Sequence, residues 1–185
     1  MEHLGTKELE TERIILRRFT ICDAEKMYKN WANDDEVTEY LTWPSHNDIN
    51  VSKNILEQWI QSYEKSDFYQ WAIVLKDINE PIGTISVVEK NDRIKMVSIG
   101  YAIGKKWWRK GITSEALNII IKFFFEEVCL NRIQAKHVVG NENSGKVMIK
   151  CGMKYEGLMR QEHLCNHGLL DTLNYAILAE DYFKK

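Results

Sequence analysis

The sequence predicts an α+β domain with a mixed, mostly antiparallel central sheet flanked by helices, and a parallel crossover in its second half. Three observations carry this. Over residues 69–103, three apolar strand-like runs alternate with short turn clusters, the pattern of an antiparallel meander. From residue 104 the grammar changes to a helical run (112–128) and then a strand (132–139), an order that predicts a right-handed parallel crossover. Two last runs, 155–164 and 170–178, flank Asn166-His167-Gly168 and read as a closing hairpin.

The elements follow in order. Residues 1–10 read as a loosely held lead-in. Arg13 to Phe19 alternates as a first strand, with Ile14 and Leu16 on one side. Thr20 to Asp23 offers capping oxygens for a helix over 24–32, which Asn33-Asp34-Asp35 breaks. A short element spans 36–41, and Thr42-Trp43-Pro44-Ser45 is a loop. Residues 49–63 form a helix with Val51, Ile55, Leu56, Trp59 and Ile60 on one stripe. Strands at 69–75, 82–88 and 95–103 are separated by turns at Asp77–Pro81 and Asn91-Asp92. In the 112–128 helix, Ala116, Ile119, Ile120, Phe123, Phe124, Glu127 and Val128 recur at helical spacing. A short helix over 143–151 stops at Gly152.

Composition narrows the function. The 185 residues suit one domain, 1–185, with a single substantial core. The apolar fraction is 44% and the charged fraction 28%, as in a folded globular chain. A net charge of −2 gives no basic field for nucleic acid. Positive charge is local, at Lys105, Lys106, Arg109 and Lys110, which suits one phosphate-bearing ligand. The most apolar run, Ile119–Phe125, is short and interrupted by Lys122, and the Glu-rich start lacks a secretory pattern. These features predict a cytoplasmic protein with no membrane partner. Cys22, Cys129, Cys151 and Cys165 match no zinc or redox spacing and are expected to be reduced, mostly buried thiols.

The stretch Lys106-Trp107-Trp108-Arg109-Lys110-Gly111-Ile112-Thr113-Ser114-Glu115 is the candidate binding element. The first N–H groups of a helix lack intrahelical partners and carry its positive dipole end. Gly111 permits close backbone approach, and Arg109 and Lys110 add full charges. On local chemistry alone it reads equally well as an ordinary capped helix.

The motifs around it resemble the GNAT superfamily of acyl-CoA-dependent N-acetyltransferases, and within it the Rim-type ribosomal-protein N-terminal acetyltransferases. The resemblance covers nearly the whole chain. Leu9-Glu10-Thr11-Glu12-Arg13-Ile14-Ile15-Leu16-Arg17 is similar to that branch's opening strand, and Trp107 to Ala116 to its pyrophosphate loop and helix start. Asn141-Glu142-Asn143-Ser144 and Lys150-Cys151-Gly152-Met153 resemble its Asn-x-x-Ser and Lys-x-Gly-Phe signatures. Residues 155–157 through Gly168 and Asp171 resemble its last hairpin. The loop departs from the usual Gln/Arg-x-x-Gly-x-Gly/Ala by Trp108 and Thr113, and Met153 replaces the usual Phe.

The resemblance implies a GNAT-like sheet and transfer of an acetyl group from acetyl-CoA, as cosubstrate, to a primary amine in a ternary complex, without a metal. The backbone of Arg109, Lys110, Gly111, Ile112, Thr113 and Ser114 would hold the diphosphate. Tyr101, Ala102 and Ile103 would pair with pantetheine, with Asn141 opposite, and a backbone N–H there would hold the oxyanion. Ser144 would contact the sulfur or protonate the thiolate, a role often taken by a tyrosine at the place Met148 occupies here. Ser144 also reads as a helix N-cap. The base would be His163 or, with a one-residue slip, Glu162. His163 also reads as a polar residue on an exposed strand. His137, in phase with Ile133 and Ala135, reads as a satisfied core histidine, and Trp43 as core or as a wall of the acceptor pocket. The acceptor is a protein N-terminus or a small amine, and the protein a monomer or homodimer.

Two alternatives stand beside this. Gly140-Asn141-Glu142-Asn143-Ser144-Gly145-Lys146-Val147 has the spacing of a phosphate-binding nucleotide loop, but Val147 offers no hydroxyl for Mg²⁺. A non-catalytic CoA-binding or interaction module could use the same fold.

Overall fold

The computed structural model describes residues 2–184. Eight strands form one sheet: β1 (Leu9–Glu10), β2 (Ile14–Arg17), β3 (Gln70–Leu75), β4 (Glu80–Asn91), β5 (Met96–Ile103), β6 (Arg132–Val138), β7 (Lys154–Cys165) and β8 (Gly168–Leu178). Their order is β1-β2-β3-β4-β5-β6-β8-β7. Every neighbouring pair is antiparallel except β5 and β6. The meander, the crossover and the closing hairpin are therefore where the periodicity put them. The hairpin folds back so that β8 lies beside β6, leaving β7 at the edge. A sheet with one parallel pair does not match the nucleotide-loop alternative, whose fold needs a mostly parallel sheet.

The helices are α1 (Ala24–Met27), α2 (Asp35–Thr38), α3 (Ile49–Ser62), α4 (Ile112–Glu126), α5 (Glu142–Lys150) and α6 (Ala179–Phe183). Strand alternation sends side chains to two cores. Ile14, Leu16, Trp71 and Ile73 face α4 and α5, together with Phe123, Phe124 and Ile133. Ala72 and Val74 face the other way, onto Phe19, Trp31 and Leu56. The first core is knit by rings: Tyr69 lies edge-on to Phe124 at 5.0 Å and stacks on Trp71 at 5.7 Å.

Several expectations need correction. The lead-in is tied down. The Leu4 N–H donates to Tyr69 Oη at 3.1 Å, and Thr6 Oγ1 donates to the Phe68 carbonyl at 2.9 Å. The helix over 24–32 is α1 followed by a wide π-type turn, Tyr28–Ala32. On α3, Leu56 is buried but Val51 and Ile60 are 37% and 36% exposed. Periodicity tells which residues share a face, whereas the neighbouring layer sets how wide a stripe it covers. On α4, Glu127 lies past the last turn and is exposed. Of the four thiols, Cys151 and Cys165 are buried and Cys22 and Cys129 exposed. Among the described residues no helix is long and apolar enough to cross a membrane.

One feature of the sheet creates the site. β5 pairs with β6 only at Met96–Arg132, Val97–Ile133 and Ser98–Gln134. Beyond Ser98 the two strands part. At the same level β4 shifts register between Val87 and Glu89, opposite Ile99 and Ser98. A bulge bends its strand and increases the local twist, and this one sits at the level where β5 and β6 part.

Candidate functional site

The parted strands bound a cleft of about 1210 Å³. One wall is β5 from Ser98 to Ile103, and the other is β6 from Lys136 to Val138 with the start of α5. The opening of α4 closes one end. The 36–43 segment, His163 and Thr172 line the other.

At the α4 end the chain needs two left-handed residues in close succession. Arg109 has φ 61° and Gly111 φ 75°. Gly111 is the N-cap of α4 and has no side chain to offer the first turn. The first helical backbone bond donated to it comes from Glu115, whose N–H reaches the Gly111 carbonyl at 3.0 Å. Ile112, Thr113 and Ser114 thus begin the helix without a side-chain cap, and all three line the cleft. Trp108 secures the loop, its indole N–H donating to the Ile103 carbonyl at 2.8 Å. Lys146 and Lys150 on α5 also line this end. An uncapped, glycine-led helix start ringed by cations fits a diphosphate. The free backbone of a strand that has lost its neighbour fits an amide-bearing arm.

In the middle, Tyr101 crosses the gap. Its hydroxyl donates to the Ser144 carbonyl at 3.0 Å, and burial pushes its pKa well above the ordinary tyrosine value. Asn141 is the N-cap of α5 but makes no side-chain cap bond, leaving its amide free toward the cleft. Ser144 is not the N-cap. It lies in the first turn, where its N–H donates to the Asn141 carbonyl at 3.1 Å. Met148 is buried beneath it.

His137 differs from the satisfied core residue expected. It is 6% exposed and stacks on Tyr175, and Nδ1 donates to the Val138 carbonyl at 2.9 Å. Nε2 is buried without a partner. The ring sits against α5 where a methyl group on Gly145 would fall 2.5 Å from Nε2, so only glycine fits there.

At the far end the register of β7 and β8 shifts between Met159 and His163, and Gln161 has φ 49°. His163 lines the cleft. Glu162 does not, but its carboxylate accepts from Lys136 Nζ at 2.5 Å and Thr172 Oγ1 at 2.8 Å, and both of those residues line it. Burial alone would raise the pKa of Glu162. The Lys136 and Thr172 hydrogen bonds outweigh it and hold the carboxyl below its usual value.

The structure therefore brings every predicted site residue to one cleft except Lys110 and Glu162. Lys110 is exposed and offers its carbonyl to Arg13 Nη1 at 3.0 Å. Sequence reasoning missed Tyr40, whose hydroxyl lies beside Gly140 and whose ring packs on His167 at 5.9 Å. It also missed Glu36, Glu39, Lys136 and Thr172. No local signal marks these, because each reaches the cleft by strand pairing or loop docking. Trp43 lines the cleft as well.

Comparison with known proteins places this geometry. A family model described as an acetyltransferase (GNAT) domain matches residues 13–154. The chain is 32% identical over 170 residues to the uncharacterized N-acetyltransferase YoaA of Bacillus subtilis, covering 92% of this chain and 96% of that protein. It is 33% identical over 175 residues to YdaF of the same organism, named as a candidate ribosomal N-acetyltransferase, covering 92% and 94%. Among solved structures, the microcin C7 self-immunity acetyltransferase MccE, in complex with acetyl-CoA and AMP, superposes with a TM-score of 0.82. The identity is 23%, covering 91% of this chain and 93% of that one.

Proposed function

The chain belongs to the GNAT acetyltransferase family and is an N-acetyltransferase that uses acetyl-CoA; from that premise we propose that it acetylates a primary amine by direct attack within a ternary complex. The observation that carries this is the single cleft, which runs from the uncapped start of α4, past Tyr101 and Ser144, to His163. Acetyl-CoA supplies an acetyl thioester. The backbone from Arg109 to Ser114 grips its diphosphate, and Asn141 and the backbone of Tyr101 to Ile103, apart from the Ile103 carbonyl that Trp108 occupies, hold the pantetheine arm. A backbone N–H of the same strand segment stabilises the oxyanion.

The amine nitrogen forms the new C–N bond as the C–S bond breaks. His163 accepts the proton the amine gives up and releases it to solvent, while Ser144 passes a proton to the leaving thiolate and is itself reprotonated by solvent. His163 is the better base. The Glu162 oxygens are engaged by Lys136 and Thr172, so this carboxylate fixes the local charge beside the histidine.

The acceptor is a protein N-terminus or a small amine. Glu39, Tyr40 and Trp43 line that end, an acidic and aromatic surface suited to a cation, while Glu36 is engaged by Lys105. An α-amine, with a reference pKa of about 7.7–8.0, needs little help from a base, whereas a lysine-type amine at about 10.4 needs more.

An acceptor screen with acetyl-CoA tests the proposal, comparing N-terminal peptides, polyamines and aminoglycosides by thiol release. Turnover with one class is expected, together with a rise in Tm at saturating acetyl-CoA. A Tm shift without turnover on any amine would leave a CoA-binding module. No shift at all would remove the reading.

A further inference from the structure

We propose that Arg13 and Glu115 are a positioning pair that holds the diphosphate loop in its binding shape, an inference that rests on the cofactor reading above. Neither residue is needed for the chemistry, and they stand about a hundred positions apart in the chain. In the fold they meet at the start of α4. Arg13 Nε donates to Glu115 Oε2 at 2.7 Å, and the Arg13 N–H donates to Oε1 at 3.2 Å. Thr11 Oγ1 donates to the same Oε1 at 2.5 Å. Arg13 Nη1 then reaches past the carboxylate to the Lys110 carbonyl at 3.0 Å.

That last contact bears on the loop. Lys110 lies between Arg109 and Gly111, both at positive φ, so its peptide is held in an arrangement a free chain seldom adopts. One guanidinium ties this peptide to the first turn of its own helix. The platform is firm. The Thr11 N–H donates to the Ile14 carbonyl at 2.9 Å, and Lys76 Nζ donates to the Thr11 carbonyl at 2.6 Å, fixing the turn to the residue that follows β3.

The charge balance also points to a strut. Glu115 is ionised: burial would raise its pKa, but hydrogen bonds from Thr11 and Arg13 hold it below the usual value. Arg13 is thereby neutralised beside the loop. It keeps a carboxylate from facing the anion, while Arg109, Lys146 and Lys150 remain to attract it.

The test is CoA binding by calorimetry, with the Tm of the free protein measured in parallel. Arg13→Ala is expected to raise the Kd for CoA about tenfold, or ~1.4 kcal/mol, and the KM for acetyl-CoA by the same factor. The kcat at saturation should stay within about twofold, since the loop does not touch the reacting atoms. Arg13→Lys, which keeps charge but loses the fork, should fall between. It also serves if the alanine variant does not fold. The double variant Arg13→Ala/Glu115→Ala should bind CoA no worse than Arg13→Ala.

Arg132→Ala is the control, because Arg132 pairs with Glu156 in a similar surface bridge away from the loop. It should leave CoA affinity unchanged. A lowered Tm with unaltered CoA affinity in both Arg13 variants would make the pair a structural bridge only and overturn the proposal. If wild-type protein bound no CoA, the cofactor reading would fall and the pair's role with it.

Discussion

The two ends of the cleft are built differently. The α4 end is built mainly from the backbone of one stretch, with two positive-φ residues and an uncapped helix start, and Lys146 and Lys150 of α5 stand beside it. The acceptor end is assembled from segments more than a hundred residues apart. Asn166, at the tip of the β7–β8 hairpin, donates from its side chain to the carbonyls of Thr38 at 2.9 Å and Trp43 at 2.7 Å. Its N–H donates to the Leu41 carbonyl at 3.1 Å. His167 Nδ1 lies 3.3 Å from Glu39. A backbone site can be common to a family because it asks little of side chains. A docked-loop site changes with every residue at the junction. The proposed cofactor grip therefore rests on backbone geometry, and the proposed acceptor pocket on side chains at a junction of distant segments.

Three substitutions sharpen or break this contrast. The largest effect is expected from Gly111→Pro. Proline fixes φ near −65°, incompatible with the positive φ here, so CoA affinity should fall at least about a hundredfold by calorimetry. Retained affinity would mean the loop backbone does not hold the diphosphate. Next is His163→Ala, which should lower kcat about a hundredfold and leave CoA affinity unchanged. An unchanged kcat would transfer the base to Glu162 or water. Smallest is Asn166→Ala. Losing two hydrogen bonds from the hairpin tip frees the 38–43 loop and should raise the acceptor KM about tenfold with little change in CoA affinity. A rise in the CoA Kd instead would show that the two ends are not independent.

Legibility follows the same division. Strands, helices and their order were readable because burial imposes periods of two and 3.6 residues on the chain. The meander, the crossover helix and the closing hairpin all appear in place. The loop at Gly111 was readable because positive φ and an uncapped helix select glycine. Ser144 lines the cleft, and its alternative reading as a helix N-cap fails because Asn141 takes that position. His137 was expected to be satisfied. Its unpartnered Nε2 depends on Gly145 and α5, which strand phase does not describe. The ambiguity between Glu162 and His163 persisted because a bulge undoes the alternation that would separate them.

By itself, then, the sequence determined the layered α+β fold, the crossover and the glycine-led helix start, because these follow from local conformational preference and hydrophobic period. Only the tertiary structure decided where β5 leaves β6, which residues face each other across that gap, how Arg13 reaches Lys110, and what walls the acceptor end. These depend on register, bulges and docking between distant segments, where a shift of one residue turns a side chain from the cleft to the solvent.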